Sequence, residues 1–165
     1  MKTCSHRGLI AFALVAACSL PLSAQASLTQ LTSLFVFGDS LSDGGNSGLR
    51  TQQYTGDPAA AFPPPPYYNG QYSNGPVAVE YLWNLFNPGN TTGFTPSLAG
   101  GTNYAIGGAT TGSANYNTVN AGVPPFLQPA YQGFGNAWQL QQFQQYLGGG
   151  GTFDPTTSLF VVWLF

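Results

Sequence analysis

Residues 34–46, Leu-Phe-Val-Phe-Gly-Asp-Ser-Leu-Ser-Asp-Gly-Gly-Asn, form the stretch where an apolar run stops at a hydroxyl set among glycines and acids. A serine hydroxyl becomes a nucleophile when a base takes its proton and when N–H groups await the negative charge that attack creates. Four bulky apolar residues in a row suit a strand buried on both faces, and the Gly38-Asp39 that follows marks where the chain leaves the sheet. Ser40 is thus expected at the carboxyl end of a strand, the edge at which open α/β sheets bind ligands.

Other chemistries fail on this stretch. Ser42 stands where a Gly-x-Ser-x-Gly elbow needs its second glycine, and no Gly-Lys-Ser/Thr follows to make a phosphate loop. A calcium loop would align Asp39, Asp43 and Gly44 correctly, but it would put Leu41 at position three and Arg50 at position twelve, which needs a Glu. Phe37-Gly38-Asp39-Ser40-Leu41-Ser42-Asp43 instead resembles the first sequence block of the GDSL (SGNH) family of serine esterases and lipases. Residues 101–111, Gly-Thr-Asn-Tyr-Ala-Ile-Gly-Gly-Ala-Thr-Thr, are similar to the family's second block, a short strand ending in a glycine whose N–H faces the nucleophile. The resemblance spans residues 34–164. It implies Ser40 as nucleophile and oxyanion donor, Gly108 as the second oxyanion N–H with Gly107 as the alternative, and no metal or organic cofactor. Asp39 is expected to fix the turn through backbone hydrogen bonds.

The elements that must position these residues follow in order. The chain from Gly48 to Gly70 reads as loop, with Pro63 to Pro66 as a stiffener ahead of two tyrosines. Residues 73–86 read as a helix, with Ser73 to Gly75 as capping candidates and Pro76 in its first turn. Val79, Leu82, Leu85 and Phe86 are its expected buried face. Where the family often has Arg-Phe ahead of Ser-Asn-Gly-Pro, this chain has Gln71-Tyr72. Residues 112–135 form a second polar loop, expected to wall a substrate cleft. A helix capped by Asn136 then runs to Leu147, with Leu140, Phe143 and Leu147 buried and the glutamines between them facing water. Residues 158–164 are again continuously apolar, hence a central parallel strand. Strand, helix, strand, helix, strand gives an α/β fold, and the resemblance makes it an SGNH-hydrolase-like, flavodoxin-like three-layer sandwich with a parallel sheet.

Residues 1–26 read as a targeting segment: Lys2 and Arg7, an apolar run from Leu9 to Leu22, then Ala24-Gln25-Ala26. The chain is therefore expected to be exported, secreted or periplasmic, with a domain from Ser27 to Phe165. Val15-Ala16-Ala17-Cys18 offers a rival lipoprotein start at Cys18. A membrane span is disfavoured, because the run is short of the required ~20 residues and Pro21 interrupts it. Cys4, Cys18 and the single histidine, His6, all lie in this segment. Beyond it, Arg50 stands against Asp39, Asp43, Asp57, Glu80 and Asp154, and one arginine makes no basic patch, so no nucleic-acid partner is expected through phosphate neutralisation. With so few charges, the surface is expected to be built from Gly, Ser, Thr, Asn, Gln, Tyr and Pro.

In the family, a strand like 158–164 leads into a block whose Asn is a further oxyanion donor, and later into an Asp-x-x-His holding the general base and its partner acid. Neither is among these 165 residues. Asp39 and Asp43 lie too close to Ser40 in sequence, and carboxylates are poor bases for a serine hydroxyl. The expectation is the N-terminal portion of a domain acting on an ester (a lipid, an acetylated polysaccharide or a small ester), inactive alone. The competing reading is a non-catalytic exported binding protein on the same fold, supported by the Tyr/Pro-rich loops.

Overall fold

The computed structural model describes residues 30–90 and 94–164. The targeting segment expected at 1–26, with Cys18 and the cleavage position, lies outside the described residues. β1, Ser33–Gly38, is the centre of the sheet. β2, Ser158–Trp163, pairs with it in parallel, Ser33 opposite Ser158 through Gly38 opposite Trp163. Residues 102–106 run parallel along the other edge of β1, with Val36 N–H donating to Thr102 O (3.1 Å), Tyr104 N–H to Val36 O (2.8 Å) and Ile106 N–H to Gly38 O (3.2 Å).

Because side chains alternate along a strand, β1 feeds two cores. Leu34 and Val36 pack with Val77, Val79 and Trp83 around α2, Ala78–Phe86, together with Ala105. Phe35, Phe37 and Tyr104 turn to the other face and meet Phe143 and Tyr146 of α3, Asn136–Gly148. Phe35 stacks on Phe160 at 4.9 Å and takes the edge of Phe143 at 5.3 Å, pairings worth about 0.5–1.5 kcal/mol each beyond their buried area. The result is the expected α/β arrangement, helix layers on both faces of a parallel sheet. A separate cluster of Ile106, Val123, Leu127 and Tyr131, with Phe62 and Trp138 against it, lies beyond the end of residues 102–106. It gives the polar-looking 112–135 loop a core of its own.

Several expectations are corrected. The 48–70 stretch opens in a helix, α1, Asn46–Thr55. Its buried face is Asn46, Ser47, Gly48 and Thr51, so it carries no apolar periodicity. The two ends are nonetheless well marked: Asp43 accepts the N–H groups of Gly45 and Ser47 at the start, and Gly56, at φ +72°, closes the last turn on Gln52 O. α2 begins at Ala78, and Ser73 to Pro76 form turns ahead of it, not its cap. Trp83 is buried on its inner face while Leu85 is 73% exposed. In α3 the inward stripe is Asn136, Gln139, Phe143 and Tyr146, and Leu140 and Leu147 face outward. Asn136 is the first residue of that helix and Gly135 its cap. Finally, β2 is parallel as expected but has β1 as its single neighbour among the described residues, leaving Phe160, Val162 and Trp163 exposed.

Candidate active site

Ser40 follows β1 directly, in a turn closed by Ser42 N–H donating to Asp39 O at 3.2 Å. Asp39 Oδ1 accepts the Leu41 N–H at 3.0 Å, the turn-fixing role expected of it. Ser40 is half-buried, and among the described residues no side chain bonds its hydroxyl. The strand end just before it is held firmly. Gln139 of α3, fully buried, accepts the Gly38 N–H through Oε1 and donates to Gly38 O through Nε2, both at 2.8 Å. A Cβ at position 38 would lie 2.6 Å from Trp163 O, so only glycine lets β1 and β2 come this close. Beside the turn is an apolar hollow of about 430 Å³, lined by Leu41, Ser42, Ala78, Val79, Leu82, Val161 and Trp163.

Gly107 and Gly108 follow residues 102–106, which run beside β1 in the same direction, so they and Ser40 leave the sheet at one edge. The two glycines are held differently. Gly107 N–H is bonded to Asp43 Oδ2 at 2.8 Å and to Ser47 Oγ at 3.0 Å. Its carbonyl accepts Nδ2 of both Asn115 and Asn117, each at 3.0 Å. Gly108 sits at φ +77°, a left-handed conformation that favours glycine, and its N–H has no acceptor among the described residues. A Cβ on Gly107 would strike the Tyr72 ring at 2.1 Å.

Asp43 has no solvent exposure, and burial pushes its carboxyl above the usual range against the pull of the Ser47 hydroxyl and the N–H groups of Gly107, Gly45 and Ser47. Tyr72, whose hydroxyl takes Asn117 Nδ2 at 2.8 Å, is pushed up to about 12, chiefly by desolvation, and stays protonated. Asn103 donates to Ser42 O at 2.9 Å, and Asn46 donates to Asn103 O and Ala105 O at 2.8 and 2.9 Å. These amides are the residues that sequence reading assigned to the surface or passed over. Asn and Gln in Gly-rich stretches look like solvated loop, and nothing in their spacing says that they bond buried backbone. Arg50, the one cation among the described residues, donates to Ala130 O at 2.7 Å with its guanidinium 4.5 Å from the centre of the Phe134 ring. It ties α1 to the second cluster and has no part at the Ser40 edge.

Comparison with known proteins covers the same span. Residues 34–164 match the model of the GDSL-like lipase/acylhydrolase family. The chain is 33% identical over 147 residues to a phosphatidylcholine-sterol acyltransferase of Aeromonas hydrophila, and 30% identical over 155 residues to an esterase of Hevea brasiliensis. These alignments take in 88% and 87% of this chain but 35% of each relative, so the chain spans about a third of their length. A match that runs from the first residues of β1 to the end of β2, through both glycine turns, means that the chain belongs to the GDSL-like lipase/acylhydrolase family.

Proposed function

We propose that this chain carries the nucleophile's half of a serine ester hydrolase, with Ser40 as nucleophile and the N–H groups of Ser40 and Gly108 as oxyanion donors. The observation that carries the reading is that Ser40 and Gly108 end neighbouring parallel segments and so reach the same sheet edge, with the Gly108 N–H unspent among the described residues. Gly107, whose N–H is engaged by Asp43 and Ser47, is the poorer candidate. In the reaction, Ser40 Oγ attacks the ester carbonyl carbon while its proton passes to a base. The oxygen gains the negative charge and is held by the two N–H groups, and the alcohol departs with the proton as the acyl-enzyme forms. Water then releases the acid. An alcohol taking the place of water would make the same intermediate an acyl donor, the chemistry in the name of the Aeromonas relative. The apolar hollow at Leu41 suits an acyl chain.

Residues 27–165 hold no histidine, so the base is proposed to come from elsewhere in the protein. Without a base a serine keeps what binding and the oxyanion hole supply, in triad enzymes about 10³–10⁴ over water. The 165-residue chain is expected to turn over a short-chain nitrophenyl ester at no more than such a residual rate. A polypeptide extended through the family's Asp-x-x-His should be labelled rapidly at Ser40 by a fluorophosphonate. Labelling that survives Ser40→Ala, or rapid turnover by the 165 residues alone, would refute the assignment.

A further inference from the structure

We infer that Asn115 and Asn117 are positioning residues which, by donating together to Gly107 O, set the direction and the donor strength of the Gly108 N–H. This inference rests on the reading of Gly108 as an oxyanion donor. The carbonyl of Gly107 and the N–H of Gly108 belong to one peptide unit. In a trans peptide they point in opposite directions, so holding the oxygen aims the hydrogen. Both asparagine amides reach that oxygen at 3.0 Å, and both residues are buried. The flanking peptides are fixed as well, Gly107 N–H by Asp43 Oδ2 and Gly108 O by Tyr116 N–H at 2.6 Å. The peptide cannot turn over without breaking several buried bonds at once.

The second effect is electronic. Hydrogen bonds accepted by a peptide oxygen draw charge toward it and make the N–H on the other side of the same unit a stronger donor. One donor would suffice to satisfy a buried carbonyl, and here there are two. The asparagines are themselves immobilised. Asn115 Oδ1 accepts the Asn117 N–H at 2.9 Å, Asn115 Nδ2 also reaches Phe134 O at 2.9 Å, and Asn117 Oδ1 accepts from Asn120 Nδ2 at 3.2 Å. The clamp also lies tight against the glycine, since a Cβ on Gly108 would fall 2.6 Å from Asn115 Oδ1. The loop 112–135 thus contributes to the chemistry from behind the reacting edge.

The test uses the 165-residue chain, ¹⁵N-labelled, with Asn117→Ala, Asn115→Ala, the double variant and Tyr72→Phe. Tyr72→Phe removes the other acceptor of Asn117 Nδ2 and leaves both bonds to Gly107 O in place. The ¹⁵N resonance of Gly108 should move upfield in each asparagine variant, further in the double, and stay put in Tyr72→Phe. The Gly38 resonance should stay put in all four, reporting that the fold is retained. In parallel, slow phosphonylation of Ser40 by a fluorophosphonate at high pH, followed by mass spectrometry, should fall in the asparagine variants, short of the about 10²–10³ attached to losing an oxyanion donor outright. A Gly108 resonance unmoved in the double variant would overturn the proposal. So would one that moves while Ser40 reacts at the wild-type rate. If the wild-type chain, which lacks the base, takes no label at Ser40, the rate comparison is made in the polypeptide extended through the Asp-x-x-His: no label at Ser40 there sinks the oxyanion reading, and a wild-type rate in the double variant overturns the role of the asparagines.

Discussion

Gln139 and Asp43 each tie a segment next to Ser40 to a part of the chain distant in sequence. Gln139 satisfies both backbone groups of Gly38 from across 101 residues of sequence. Gln139→Leu would keep the volume and orphan a buried N–H and a buried C=O, at about 1–3 kcal/mol for each group left unpaired. Urea unfolding should show a loss in that range or above, while Gln141→Leu, on the exposed side of α3, should stay within about 0.5 kcal/mol of wild type. Asp43 gives a prediction with a sign. Its folded pKa is raised by burial above the unfolded value, so in the window between the two the native state holds more protons than the unfolded chain. Its contribution to stability is fully present below the unfolded value of about 3.9 and is lost as pH rises through the folded pKa. Relative to Asp43→Asn, wild type should therefore lose stability as pH is raised from about 4. A difference that is flat, or that runs the other way, would mean that the donors around Asp43 outweigh its burial.

At the scale of elements, β1 and β2 have similar sequences and different surroundings. Both are continuous apolar runs, yet Leu34 to Val36 are fully buried, while Val162 is 61% exposed on an edge with no described neighbour. An edge strand that presents free N–H and C=O groups beside apolar side chains is a template for pairing with another chain. The 165-residue chain should self-associate in a concentration-dependent way in sedimentation velocity runs, and Val162→Lys, which puts a charge on that edge, should shift it toward monomer. Association unchanged by the lysine would place the contact elsewhere. α1 teaches the opposite lesson. Its buried face is polar and small because it packs closely, Gly48 against Gly70 with a Cβ at 48 only 3.0 Å from the Gly70 Cα, so it has no room for the apolar stripe that announces a helix.

For the whole molecule, the polar amides are the unexpected building material. So few charges suggested a surface of Asn, Gln, Ser and Thr, but Asn46, Asn103, Asn115, Asn117 and Gln139 are all buried and bonded to backbone. They take the place of ladder hydrogen bonds where the strands end and the chain turns irregularly, because buried N–H and C=O groups need partners of some kind. Export belongs to this scale as well. The order Lys2 and Arg7, apolar run, Ala24-Gln25-Ala26 leads us to propose cleavage after Ala26, and N-terminal sequencing of protein produced with its own first 26 residues should begin at Ser27. A start at a lipidated Cys18 would choose the rival site, and an intact Met1 would end the proposal.

Sequence alone determined the parts governed by local order. The run from Leu34 to Phe37 suited a strand buried on both faces, and a Gly-Asp-Ser-Leu after it put Ser40 at the strand end and, with the glycines after Ile106, pointed to the family. Apolar periodicity also found α2 and α3 and turned Val79, Phe86 and Phe143 inward correctly, but it buried Leu85, Leu140 and Leu147, which face outward, and missed Trp83 and Gln139. The neighbours that bury a helix are set by the sheet it lands on, and a glutamine with two backbone partners is as much at home there as a leucine. Which glycine N–H is free among the described residues was likewise decided only by tertiary structure. Gly107 and Gly108 are identical residues side by side, and the difference between them lies in Asp43, Ser47, Asn115 and Asn117, which folding brings to the first and not to the second's N–H.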